Sequence, residues 1–121
     1  MGLVFEQICK EYLLMENHKD RLPFLFTSIG RWWGTNPKSR QQVEIDLVAK
    51  DGNTYLFGEC KWRNEPVDTG ILEQLKEKAD VMCKSREETY YALFSKSGFT
   101  ESLKKEASGH VILISLDTLL K

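Results

Sequence analysis

Asp46, Glu59 and Lys61 fall in two stretches otherwise made of strand-forming residues, Glu44-Ile45-Asp46-Leu47-Val48-Ala49 and Tyr55-Leu56-Phe57-Gly58-Glu59-Cys60-Lys61-Trp62. Two carboxylates and an ammonium group so placed outline a metal-dependent phosphodiesterase centre. Hard divalent cations prefer oxygen ligands. Asp46 and Glu59 therefore suit Mg²⁺ or Mn²⁺, with the backbone carbonyl of Cys60 as a third donor at the strand edge. Such a cation lowers the pKa of a bound water and offsets the charge that builds on a scissile phosphate. Lys61 can then position that water or stabilise the pentacovalent transition state. A salt bridge to either carboxylate is the competing role for Lys61, and it leaves the carboxylate pair itself unexplained.

The positioning elements follow from composition and alternation. Asp51-Gly52-Asn53 between the two stretches is hairpin chemistry, because Gly and Asn accept the positive φ of a tight turn. The strands are expected to be antiparallel neighbours. Side chains alternate along a strand, so Glu44 and Asp46 share one face of the first, and Phe57, Glu59 and Lys61 share one face of the second. Ile45, Leu47, Leu56, Gly58, Cys60 and Trp62 form the apolar face. Charges alternating along a solvated strand need no ligand, but carboxylates embedded among buried residues are costly unless paired or coordinating.

Elsewhere, Phe5, Ile8, Cys9, Tyr12 and Leu13 recur at helical spacing, which predicts a helix from about Leu3 to about Asn17. Pro23 forces extension, and Phe24 to Trp33 reads as a strand, followed by a loop over Gly34 to Arg40. Asp68 can cap a second helix whose apolar face is Ile71, Leu72, Leu75, Ala79, Met82 and Cys83. Thr89 to Ser95 is a fourth strand. Thr100 caps a short helix ended by Gly109, and His110 to Leu116 is a nearly all-apolar last strand. The order αβββαβαβ predicts an α/β (α+β) domain with a mixed central sheet flanked by helices.

The ordered set Phe5-Glu6, Gly30-Arg31-Trp32-Trp33, Glu44-Ile45-Asp46, Phe57-Gly58-Glu59-Cys60-Lys61-Trp62 and Phe94-Ser95-Lys96-Ser97-Gly98-Phe99 resembles the PD-(D/E)XK nuclease superfamily. Within it, the chain is most similar to the nuclease-like domain that follows an AAA-type ATPase module in many archaeal and bacterial proteins. Asp46 and Glu59-Cys60-Lys61 match the D…(D/E)xK signature; Ile45 replaces the signature proline, a chemically harmless departure. The resemblance implies a restriction-endonuclease-like fold, an Mg²⁺- or Mn²⁺-dependent endonuclease acting on DNA, and pairing into homodimers that cut both strands. It also implies that Glu6 on the opening helix reaches the metal site and that Gln74 on the second helix is a site glutamine. Without it, Glu6 reads as a helix-start glutamate favoured by the helix dipole, and Gln74 as a polar residue bordering an apolar face.

A chain of 121 residues with 41% hydrophobic content buries one core, so residues 1–121 are expected to form a single domain, cut from a longer ATPase-containing chain. Three scattered cysteines without CxxC spacing point to neither disulfides nor zinc, and a reducing cytoplasm is the natural setting. No apolar run approaches membrane-spanning length. A net charge of −1 excludes binding nucleic acid by bulk charge, so DNA contacts must be local. Arg31, Lys38, Arg40, Arg63 and Lys96 fall in loops or at strand ends near the proposed site and are the candidates for them. The reading from another class is a non-cleaving DNA-binding, regulatory or oligomerisation module of an ATPase.

Overall fold

The computed structural model describes residues 2–85 and 87–120. Its elements are α1 (Gly2–His18), β1 (Ser28–Thr35), β2 (Gln42–Asp51), β3 (Thr54–Lys61), α2 (Thr69–Met82), β4 (Glu88–Ser95), α3 (Glu101–Lys104), β5 (Val111–Ser115) and α4 (Leu116–Leu119). The mixed α+β architecture is the expected one, with a short fourth helix added at the end. The strands lie in chain order in one sheet, the first three antiparallel and the last three parallel. Parallel neighbours need helical crossovers, and α2 and α3 supply them. No helix among the described residues is long and apolar enough to cross a membrane.

Both faces of the sheet are covered. On one side Phe5, Cys9 and Leu13 of α1 pack against Leu47, Leu56, Ala92 and Phe94; on the other Leu72, Leu75 and Ala79 of α2 pack against Ile45, Phe57 and Leu93. Phe57 is thus core, and the strand face carrying Glu59 lies under a helix rather than open to water. The single apolar face expected for β2 is also divided, since Ile45 packs on the α2 side and Leu47 on the α1 side.

A β-bulge causes that division. Gly30 pairs with Val48 and Trp32 with Ile45, so Arg31 alone is opposed by both Asp46 and Leu47. Two residues against one kink a strand and re-aim its side chains.

Several boundaries differ from expectation for local reasons. Residues 24–27 are a loop, tied to α1 where Asn17 both donates to the Phe26 carbonyl and accepts from its N–H at 3.1 and 3.0 Å. That pairing delays β1 to Ser28. The capping roles of Asp68 and Thr100 are as expected: their side chains accept from the Ile71 and Leu103 N–H groups. Helix α3 ends at Lys104, well before Gly109, and tightens into turns in which Glu106 and Ala107 donate to carbonyls three residues back. The turn joining β2 to β3 has two residues, Gly52 and Asn53, and only Gly52 adopts positive φ.

Candidate active site

Paired residues in β2 and β3 run from Asp51 and Thr54 to Leu47 and Gly58, and there the ladder stops. One step further it would set Asp46 opposite Glu59. The bulge bends β2 away instead, and the Cys60 N–H donates to Asp46 Oδ2 at 2.9 Å in place of a backbone carbonyl. At the last pair the strands are close: a Cβ on Gly58 would lie 3.1 Å from the Leu47 Cβ, so a larger residue would force apart the strands that set the opening.

Asp46 opens toward α1, on a cavity of about 210 Å³ shared with Glu6, Gln7, Lys10 and Arg31. Glu6 forms an ion pair with Arg31, whose other nitrogen lies 3.8 Å from Glu44. The hydrogen bond that Arg31 donates to Glu6 is the main reason that its guanidinium is held above its already high ordinary pKa. Arg31 is therefore committed to carboxylates and braces the bulge.

Glu59 faces α2 and is 5% exposed. Lys78 Nζ lies 3.3 and 3.4 Å from its two oxygens, and Lys61 Nζ lies 3.8 Å from one of them. Burial, and then repulsion by Asp46, push its carboxyl from an ordinary 4.5 up to about 7 in spite of both ammonium groups. The Cys60 thiol is raised by its hydrogen bond with Cys9 and by burial, so it stays protonated, and only the Cys60 carbonyl is a candidate ligand.

Asp46 and Glu59 thus flank the point where β2 and β3 part, near enough for the charge of Asp46 to act on Glu59 but opening to opposite sides of the sheet, Glu59 beside Lys61 on the α2 side and Asp46 beside Glu6 on the α1 side. Gln74 is exposed one turn before Lys78, and both line a cavity of about 460 Å³ with Glu44, between α2 and the β1–β2 hairpin. Lys38 and Arg40 are exposed on that hairpin. Arg40 adopts a φ of 60°, which side-chain-bearing residues seldom do, while Asn36 Oδ1 accepts from the Lys38 N–H and pins the turn. Arg63 donates to the Pro66 carbonyl at 3.3 Å, and Lys96 sits 4.9 Å above the Trp62 ring and donates to Asn64 at 3.1 Å. These two gather beyond the ends of β3 and β4.

Lys78 is the site residue that sequence reasoning passed over. It borders the apolar stripe next to Ala79 and one turn after Gln74, where a long cationic stem laid along apolar surface was the available signal.

Among the described residues no group of three or more His, Cys, Asp or Glu side chains is arranged to hold a metal ion. Two carboxylates with a nearby carbonyl are nevertheless a donor set that suits Mg²⁺ or Mn²⁺, since Mg²⁺ keeps several waters and is bound through one or two carboxylates.

The fold is similar to that of a protein of unknown function, AF1548, at 22% identity and a TM-score of 0.59, over 96% of this chain and 64% of that one. The DNA modification-dependent restriction endonuclease AspBHI aligns over 96% of this chain and 30% of its own at 16% identity, and its TM-score of 0.48 is too low to bear weight. An uncharacterized protein of Methanocaldococcus jannaschii, MJECL04, is 32% identical over 97% of this chain. The chain spans 25% of that relative's length. Residues 1–80, which include α1, the bulge, Asp46, Glu59 and Lys61, match the family DUF234, described as archaeal and bacterial proteins of unknown function, and the chain belongs to that family.

Proposed function

We propose that the domain is a metal-dependent DNA endonuclease of the PD-(D/E)XK type, hydrolysing phosphodiester bonds where β2 and β3 part. The observation that carries this reading is a carboxylate 5% exposed, set beside a second carboxylate at the point where a bulge ends the ladder. Burying a carboxylate next to a second, half-buried one is costly and gives the fold nothing that an apolar residue would not. Asp46, Glu59 and the Cys60 carbonyl would hold Mg²⁺ or Mn²⁺. When bound, that ion supplies an activated water and neutralises charge on phosphate.

Lys61 is partly exposed and touches Glu59 by one oxygen only, so its ammonium can turn toward a phosphate. Glu6 holds Arg31 against the bulge and thereby keeps Asp46 aimed. Lys38 and Arg40 on the hairpin, with Arg63 and Lys96 beyond β3 and β4, would bind the DNA backbone. The test is incubation of duplex, branched and single-stranded DNA with Mg²⁺ or Mn²⁺. The wild type is expected to cut at least one of them and Asp46→Ala none. Lys61→Ala is expected to retain metal while cutting about 10²-fold more slowly, as when a group stabilising transition-state charge is removed.

One observation favours a second reading. Two ammonium groups lie on Glu59, as in a purely structural ion cluster. On that reading the domain is a non-cleaving DNA-binding, regulatory or oligomerisation module of an AAA-type ATPase within a longer chain. DNA binding without cleavage on every substrate would select it.

A further inference from the structure

We propose that Lys78 is an internal counter-ion that holds the place of the divalent cation at Glu59, sets the affinity of the site for that cation, and leaves the carboxylate when the cation enters. The inference rests on Asp46 and Glu59 being ligands. Lys78 reaches both Glu59 oxygens, at 3.3 and 3.4 Å, whereas Lys61 approaches one at 3.8 Å. A cation bound to Glu59 would stand within a few ångströms of the Lys78 ammonium, and two such charges repel strongly in a partly buried site. Lys78 must therefore move or weaken binding.

It has somewhere to go. Its side chain is 29% exposed and lines the cavity of about 460 Å³, where Glu44 and Glu77 offer replacement partners closer to water. The flexible stem and strongly hydrated head of a lysine suit such an exchange better than the rigid fork of an arginine. Gln74, one turn away on the same wall, borders the path. Without metal, Lys78 is the nearer of the two cations on the buried carboxylate, Lys61 making the longer contact; with metal, its charge is delivered to the cavity beside the hairpin that carries Lys38 and Arg40.

The test is Mn²⁺ binding to the whole chain without DNA, by titration calorimetry and by loss of the free-ion magnetic resonance signal, in mildly alkaline buffer. Lys78→Met and Lys78→Gln are expected to bind Mn²⁺ about tenfold or more tighter than wild type, the effect of removing one adjacent positive charge. They should melt at lower temperature without metal and gain more from adding it, while Asp46→Asn abolishes binding. A lysine that merely supported the fold would lower melting without tightening Mn²⁺. Unchanged or weaker affinity in both Lys78 variants, with Asp46→Asn still abolishing binding, would overturn the role of Lys78 and leave the ligand pair standing. Absence of binding in wild type and in both Lys78 variants would overturn the ligand pair and this inference together. Binding by the Lys78 variants alone would support the exchange in its strongest form.

Discussion

Glu59 carries the sharpest conflict between stability and the proposed chemistry. Its carboxyl is raised from an ordinary 4.5 to about 7, so between those values the folded chain holds a proton that the unfolded chain has released. Stability therefore depends on pH in a definite direction. Below about 4.5 both states are protonated and nothing is lost; as pH rises toward about 7 folding weakens, and above it the whole penalty stands. Glu59→Gln removes the charge. In urea titrations with a chelator present, the variant should be more stable than wild type above pH 7 by on the order of 1–3 kcal/mol, with the difference closing toward pH 4.5. It should bind no Mn²⁺. A wild-type stability that stays flat or climbs through this window would show that the buried carboxylate costs the fold nothing. Asp46, Glu59 and Lys61 were legible as a group because their types and spacing are unusual in strands. Lys78 was not, because one lysine at the edge of a helical stripe looks like any solvated residue until the carboxylate beneath it is seen.

On the proposed reading, the bulge and the hairpin beyond it would decide where DNA docks. Arg31 is held by Glu6 and Glu44, which removes it from the expected set of phosphate contacts and leaves Lys38 and Arg40 as the members of that set before β2. Replacing Lys38 and Arg40 by Ala should weaken binding to all DNA sequences alike and flatten its salt dependence by roughly 0.9 per lost contact on duplex. Metal affinity should hardly change. A double variant with the wild-type salt slope would move the docking surface to Arg63 and Lys96. Helices were readable at this scale because the caps Asp68 and Thr100 and the apolar spacing act locally. The bulge was hidden, since Ile45 and Leu47 are both apolar and nothing in their alternation reveals that Arg31 faces two residues. The start of β1 was hidden as well, because it is set by Asn17 from another element.

Across the whole molecule, α1 and α2 clamp the sheet from both sides, and so the carboxylates that β2 and β3 present are enclosed by elements distant in sequence. A mixed sheet flanked by helices was the expectation from the element order, and the parallel pairing of β3, β4 and β5 with its helical crossovers explains why both faces are covered. The two-residue turn at Gly52 and Asn53 has a kinetic consequence. It makes the β2–β3 pair the most local strand contact of the fold, and local contacts close first and fastest. If that pair forms before the helices pack, the repulsion of Asp46 and Glu59 acts on the folding barrier, while the larger burial penalty on Glu59 enters only when α2 docks. Above pH 7, Glu59→Gln should refold faster than wild type in stopped-flow mixing, by the share due to Asp46, and also unfold more slowly, by the share due to burial. Equal refolding rates with slower unfolding would place the meeting of the two carboxylates after the barrier, at the docking of α2.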